Sequence, residues 1–208
     1  MIRRPIFPAV KLESLTPSQF EDGSFFEAAC LEELSVAGSK ADDMTLETVR
    51  VKRTEIGDST FRSARWTDVS VEQSNLANSS LEDAALLRTE FTGCRLTGLQ
   101  ANGAGLEDVA FRNCRMDLSL FRFSRMKNVL FENCNLGESD FAGASLVGVS
   151  FIGCDLGNAE FSHAKFDRVD FSRSDIDSMR VSPDQVRGIA IDHTQVYRIV
   201  ELMGITVT

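Results

Sequence analysis

Four cysteines recur at every twentieth position, at Cys94, Cys114, Cys134 and Cys154. Thiols in so regular a series are candidates for a metal centre or for disulfides. A tetrahedral zinc site needs ligands that converge on one point, whereas thiols repeated along a regular array point in the same direction. The pattern therefore favours small buried core residues, and Cys30, which lies outside the series, is a candidate surface thiol.

The two histidines, His163 and His193, form no recognisable acid–base constellation with a nucleophile. The chain has one tyrosine and one tryptophan, and no glycine-rich phosphate loop. We therefore expect no enzyme activity, no cofactor and no metal.

The charge balance limits the classes of partner. Aspartate and glutamate number 31 against 22 lysines and arginines, which gives a net charge of −9. This balance disfavours direct binding to nucleic acid. No apolar run approaches the roughly 18 residues of a membrane helix, and no apolar signal segment follows Arg3-Arg4-Pro5. We expect a cytoplasmic protein without membrane contact.

A period of five residues dominates the chain. Every fifth residue from Val51 to Ile176 is apolar, and the residue two places before it is almost always small. Two places after it, glycine, asparagine or aspartate is frequent, and these residues tolerate a positive φ. Residues two apart on an extended chain point to the same side. Each unit of five is therefore predicted to be a very short strand followed by a corner, since a period of five cannot follow one face of an α-helix.

A second, longer period sets the number of units in a coil. The apolar column at Phe91, Phe111, Phe131, Phe151 and Phe171 returns at every twentieth position, as the cysteines do. Four units per coil would stack each column on itself, with coils about 4.8 Å apart. The unbroken repeat then predicts about six and a half coils.

Individual units resemble the motif of the pentapeptide-repeat family: a small residue, then aspartate or asparagine, then leucine or phenylalanine. Ser139-Asp140-Phe141 and Cys134-Asn135-Leu136 are close instances. The resemblance implies an all-β fold, the right-handed quadrilateral β-helix, and we expect it to carry a short C-terminal α-helical element. The motif specifies the fold of the rod but not the residues on its surface, so it does not specify a function.

Both ends of such a rod need covers. We assign residues 1–25 to an N-terminal cap, 26–180 to the β-helix and 181–208 to a C-terminal helical cap and dimerisation element. Ser182-Pro183-Asp184 reads as one helix start, and Asp192 as a second, with Gly204 as its end.

The C-terminal segment resembles that of the quinolone-resistance pentapeptide proteins, which dimerise through it. The resemblance implies a homodimer. The expected interface residues are Val196, Ile199, Val200, Met203, Ile205 and Val207.

Acidic residues concentrate towards the C-terminal end of the repeat. A rod with ordered carboxylates can imitate DNA and occupy a basic groove. The family resemblance implies DNA gyrase or another type II topoisomerase as the partner, with resistance or self-protection as the outcome. The candidate acidic face comprises Asp140, Asp155, Glu160, Asp170 and Asp175.

Two features separate this chain from the plasmid-borne quinolone-resistance members. A basic belt interrupts the acidic residues, and the repeat has no loop insertion, as in the loop-free mycobacterial type. The belt comprises Arg112, Arg115, Arg122, Arg125 and Lys127.

Large apolar residues occupy outward positions in one part of the repeat, at Leu118, Leu120, Phe123 and Leu130. Exposed apolar clusters mark binding surfaces. The alternative, which explains the pattern equally well, is that a neighbouring loop or the N-terminal cap covers these residues. The alternative function is therefore a general protein-interaction scaffold that uses this region and the basic belt, with no topoisomerase role.

Overall fold

The computed structural model describes residues 2–7, 12–16, 19–182, 185–202 and 206. Its fold is the right-handed, four-sided parallel β-helix that the repeat predicts, with one short C-terminal helix. The rod has about nine turns. This exceeds the predicted six and a half because parallel pairing continues beyond both ends of the unbroken repeat, from Glu13 to Ala190.

Thirteen strands form one sheet within the described residues, and every pair of neighbours is parallel. The strands are β1 (Glu13–Ser14), β2 (Phe25–Glu27), β3 (Ala29–Glu32), β4 (Thr45–Lys52), β5 (Arg65–Glu72), β6 (Ala85–Thr92), β7 (Gly105–Arg112), β8 (Arg125–Glu132), β9 (Ser145–Val147), β10 (Ser150–Asp155), β11 (Lys165–Asp167), β12 (Val169–Asp175) and β13 (Ile189–Ala190). A 3₁₀ turn at His193–Gln195 leads into α1 (Val196–Leu202). No helix among these residues has the length and apolar character to cross a bilayer.

From β2 onwards the strands pair in a register of one full coil of 20 residues, apart from a one-residue shift at Ile152 and Arg173, so each coil lies directly on the one before it. Leu46 pairs with Trp66, and Val51 pairs with Val71. Single bridges such as Glu55 with Asn75 and Thr60 with Ser80 continue the pairing on the other two sides. We number the faces by their central residues and the register partners of these: face 1 (Leu46), face 2 (Val51), face 3 (Ile56) and face 4 (Phe61).

Two columns of phenylalanine run through part of the interior. Rings from Phe91 to Phe171 stack at centroid distances of 4.9–5.0 Å, and a second column at Phe121, Phe141 and Phe161 stacks at 4.7–5.0 Å. The two columns meet edge to face, as at 6.0 Å between Phe131 and Phe141. Because a period of one coil puts identical rings above one another, the core gains aromatic stacking as well as burial.

In each unit of five, the corner residue lies two places after the central residue. From residue 23 to residue 168, every one of these corner residues is in the left-handed region, with φ between 47° and 72°. Glycine, asparagine and aspartate are the expected occupants, yet Thr48, Leu118 and Phe123 adopt the same conformation. Hydrogen bonds between coils hold these corners, as when the N–H of Phe123 donates to the carbonyl of Ala142 at 3.0 Å. Stacking therefore overrides the local preference of the side chain.

The N-terminal residues divide between the end and the side of the rod. Leu15 and Phe20 are buried in the core, as a cap requires. Residues 2–7 lie on the side of the rod, along the corner between faces 1 and 2, where Arg3 contacts Asp108. The expected helix start at Ser182 depends on residues 183–184, which lie outside the described residues.

Candidate interaction surfaces

Leu118, Leu120 and Phe123 lie in one coil and cross face 4 from corner to corner; we call them the apolar patch. Leu118 is 51% exposed and Phe123 is 70% exposed, while Leu120 is half-buried. No described segment covers them, which favours the binding-surface alternative over cover by a loop or cap. Leu130 is not part of the patch, because it pairs with Ala110 and Ser150 on face 2, the opposite side.

Glycines on neighbouring coils give the apolar patch its shape. The ring of Phe123 lies over Gly143, where an added Cβ would stand 2.6 Å from the ring carbons. Gly103 and Gly98 occupy the equivalent corners one coil earlier. A phenylalanine set between glycines stands out from the surface, which suits insertion into a pocket of a partner protein.

The candidate acidic residues are distributed over three faces. Asp140 and Glu160 lie on face 4, Asp155 and Asp175 on face 3, and Asp170 on face 2. Each accepts a hydrogen bond from the backbone N–H two residues further on, at 2.8–3.0 Å. One oxygen of each carboxylate therefore stabilises its own corner, which explains the acidic or asparagine residue in the repeat motif.

Cations accompany the acidic residues on face 4. Arg122 Nη2 lies 2.6 Å from the largely buried carboxylate of Asp140. Arg122, Asp140, Glu160 and Arg180 line an open groove of about 650 Å³ together with Glu138. On face 3, by contrast, the carboxylates of Asp155 and Asp175 are exposed and have no ion pair among the described residues.

Ion pairs neutralise most of the basic belt. Arg112 contacts both Glu90 and Glu132, Arg115 contacts Asp117, Lys127 contacts Glu107, and Arg122 contacts Asp140. Burial opposes ionisation of Asp117, but hydrogen bonds from Arg115 and Thr97 outweigh it and lower its pKa. Arg125 alone in the belt has no ion pair within the described part of the chain. The belt is thus a network of paired charges with little free positive charge.

The four cysteines of the series are buried in the core, and the two histidines are exposed. Each Sγ in the series lies within hydrogen-bonding distance of a carbonyl, as with Cys94 Sγ and Val71 O at 3.3 Å. The neighbouring thiol of Cys114 and burial raise the pKa of Cys94, which keeps it a thiol. Among residues 2–7, 12–16, 19–182, 185–202 and 206, no cluster of three metal-binding side chains occurs. His163 is an exposed corner residue with φ 59°, and His193 opens the C-terminal 3₁₀ turn.

The C-terminal helix divides its apolar residues between core and solvent. Asp192 caps the helical segment as expected: its Oδ1 accepts from the N–H of Thr194 at 2.9 Å. Ile199 is buried with the core, Val200 is half-buried, and Val196 is 45% exposed. Tyr197, which sequence reasoning did not single out, is 64% exposed beside Val196. Met203, Ile205 and Val207 of the expected interface lie outside the described residues.

Sequence reasoning also missed an ion-pair cluster on the corner between faces 1 and 2. Asp68, Arg88 and Asp108 occupy successive coils there, and the N-terminal residues 2–7 lie against them. Aspartate is common at corners, so the two aspartates did not indicate an ion-pair cluster. The available signal was the arginine at position 88, one coil from each.

Comparisons with known proteins identify the repeat. The profile described as a pentapeptide repeat region matches residues 64–141, and that described as pentapeptide repeats (9 copies) matches residues 131–175. Together they span more than half of the chain. A search of curated proteins finds no match.

Two solved structures illustrate the likeness. HetL, a pentapeptide repeat protein involved in heterocyst differentiation regulation from the cyanobacterium Nostoc sp. strain PCC 7120, is 16% identical, with 81% of this chain and 83% of HetL covered and a TM-score of 0.48. Full-length QnrB1, a plasmid-mediated fluoroquinolone resistance protein, is 20% identical, with 93% and 95% covered and a TM-score of 0.45.

Proposed function

Because this chain belongs to the pentapeptide-repeat family, we propose that it is a non-enzymatic binding protein whose rod presents the apolar patch to a partner protein. The observation that carries this proposal is the exposure of Leu118 and Phe123. A large apolar side chain held out from a rigid scaffold loses little entropy on binding and buries much area.

The surroundings of the apolar patch support a specific interface. The backbone at both corners is fixed by hydrogen bonds between coils, at 3.0 Å for both Leu118 and Phe123. Arg122 and Asp140 form an ion pair at the edge of the patch. An apolar centre with a polar rim is the usual anatomy of a protein–protein interface.

Quantitative pull-down from the native lysate tests the proposal. Leu120→Ser combined with Phe123→Ser should leave the melting temperature nearly unchanged and remove the proteins that the unaltered chain captures, with at least a tenfold loss. Phe25→Ser is the matched control, because it removes an exposed aromatic side chain from β2, away from the apolar patch. Equal capture by the double variant, or collapse of its fold, contradicts the proposal.

The second candidate function is occupation of the DNA-binding surface of DNA gyrase or another type II topoisomerase, with resistance or self-protection as the result. Face 3 favours it, because Asp155 and Asp175 are in register, about 4.8 Å apart, and exposed. Asp177, also exposed, lies on the same face. A row of carboxylates at this spacing offers basic grooves a charge pattern that resembles a phosphate backbone.

A gyrase supercoiling assay, with and without a quinolone, tests the second candidate. Micromolar protein should inhibit supercoiling or relieve quinolone inhibition, and the double change Asp155→Asn and Asp175→Asn should weaken the effect several-fold. Glu82→Gln, which removes one acid from face 4, is the control. Absence of any effect at micromolar protein eliminates this candidate and leaves the apolar patch as the functional surface.

A further inference from the structure

The corner between faces 1 and 2 carries a ladder of charged and polar side chains on successive coils. Arg88 donates to both oxygens of Asp68, through Nε and Nη2, each at 2.7 Å. One coil further on, the carboxylate of Asp108 accepts from Asn128 Nδ2 at 3.4 Å. The side chain of Asp108 is only 1% exposed. Arg88 and Asn128 therefore help to position the two carboxylates.

Residues 2–7, which we call the N-terminal strap, lie on this ladder. Arg3 binds Asp108 through its Nε at 2.6 Å and through its backbone N–H at 3.4 Å. The backbone N–H of Ile6 donates to Asp68 Oδ1 at 2.9 Å. Beyond Ile6, the ring of Phe7 lies 4.3 Å from the guanidinium carbon of Arg50.

The spacing of the two carboxylates matches an extended chain. Asp68 and Asp108 are two coils apart, which is about 9.6 Å along the rod. Three residues of extended chain, from Arg3 to Ile6, span about 10 Å. The corner therefore suits an extended segment that runs along the rod axis, across the middle of β5, β6 and β7.

The contacts with Asp68 and Asp108 recognise only a few chemical groups of the strap. Two of them are backbone N–H groups, which any residue except proline supplies, and the third is the guanidinium of Arg3. The side chains of Arg3 and Ile6 remain mostly exposed, at 61% and 64%. The outward-facing Ala110, next to Asp108, is buried and lines the same recess as Arg3 and Arg4.

We propose that this corner is a peptide-binding track, which the N-terminal strap occupies in cis and which accepts in trans an extended basic peptide with an arginine three residues before a residue other than proline. Charge complementarity selects this occupant: the two carboxylates are already in place, and the protein as a whole carries a net charge of −9. A tethered strap competes with the free peptide at high effective concentration, so release of the strap opens the track.

Fluorescence anisotropy with a labelled peptide tests the proposal on the full-length protein. The probe is Ile-Arg-Arg-Pro-Ile-Phe, the sequence of residues 2–7. Arg3→Glu places an acid beside Asp108 and Glu107 and should free the strap, so this variant should bind the probe at least tenfold more tightly than the unaltered chain. Arg4→Glu is the matched control: it makes the same charge change at a neighbouring exposed residue that has no ion pair in the described part of the chain.

Two further measurements establish the register of binding. Asp108→Asn in the Arg3→Glu background should abolish binding of the probe while circular dichroism retains the β-helix signal. Independently of any protein variant, a probe with glutamate in place of its first arginine should fail to bind, whereas replacement of its second arginine should have a small effect. Equal binding by the Arg3→Glu variant and the unaltered chain, or equal binding of the two altered probes, overturns the proposal.

Discussion

At the scale of single residues, the contrast between Phe131 and Phe123 separates the two sides of the rod wall. Phe131 is fully buried between Phe111 and Phe151, at 5.0 and 4.9 Å between ring centroids. Phe123 has the same side chain but stands on the outside, over Gly143. Position within the unit of five decides which role a phenylalanine takes.

Phe131→Ala should cost about 3–5 kcal/mol of unfolding free energy, because a large-to-small change leaves a cavity in the stacked column. Urea denaturation followed by circular dichroism measures the loss. Phe123→Ala is the control and should change the unfolding free energy by no more than about 0.5 kcal/mol. Similar losses for the two variants would contradict the assignment of inward and outward positions.

Gly153→Val should destabilise the corner that leads into Cys154. Gly153 has φ +64°, a conformation that β-branched residues avoid, and an added Cβ would lie 2.5 Å from Asn133 Oδ1. Gly105→Ala is the control, because an added Cβ meets no atom within 4 Å there. Thermal melting should show a clear decrease for the first variant and almost none for the second; equal melting temperatures would contradict the corner geometry.

At the scale of elements, the N-terminal strap depends on the charge of Asp68. Burial alone would raise the pKa of this carboxyl, but hydrogen bonds from Arg88 and from the N–H of Ile6 outweigh burial and hold the pKa below its usual range. A pKa that is lower in the folded state stabilises the fold above the unfolded-state value of about 4. That contribution is lost as the pH falls through the lower, folded-state pKa.

Asp68→Asn should therefore remove part of the stability at pH 7 and flatten the pH dependence of melting below about pH 4. Melting temperatures between pH 7 and pH 2.5 measure both effects. Asp58→Asn, at an exposed corner on another edge of the rod, should keep the steeper dependence of the unaltered chain. Parallel curves for all three proteins would exclude a contribution from the Asp68 ion pair.

The repeating elements could be predicted from the sequence, and the unique ones could not. Apolar residues such as Phe131 recur at a fixed period, and that period alone specifies the inward face, the corners and the register between coils. The strap contact of Arg3 with Asp108 joins residues far apart in sequence without any period. The exposure of Leu118 could not be predicted either, since it depends on whether another segment lies over face 4.

At the scale of the whole molecule, the C-terminal helix offers a surface for a second copy. Val196 and Tyr197 are exposed on α1, while Ile199 is buried against the rod. We propose that two chains associate through this exposed side. The helix then serves both as the cover of the last coil and as the contact between rods.

Val196→Glu should convert a dimer into a species of 23.0 kDa in light scattering at micromolar concentration, because it places a charge in the contact. Val147→Glu, which adds the same charge on face 1, should leave the mass unchanged. An unaltered chain that already scatters as a 23.0 kDa species would exclude the dimer.

The strict register between coils links the length of the chain to direction around the axis. Insertion of four whole units would lengthen the rod by one coil, about 4.8 Å, and every later side chain would keep its original direction around the axis. Insertion of a single unit would rotate everything downstream by a quarter turn, so that α1 would point along a new azimuth relative to Phe123. In such a molecule, gene duplication in whole coils adjusts the reach between two binding surfaces, while gain or loss of a single unit adjusts the angle between them.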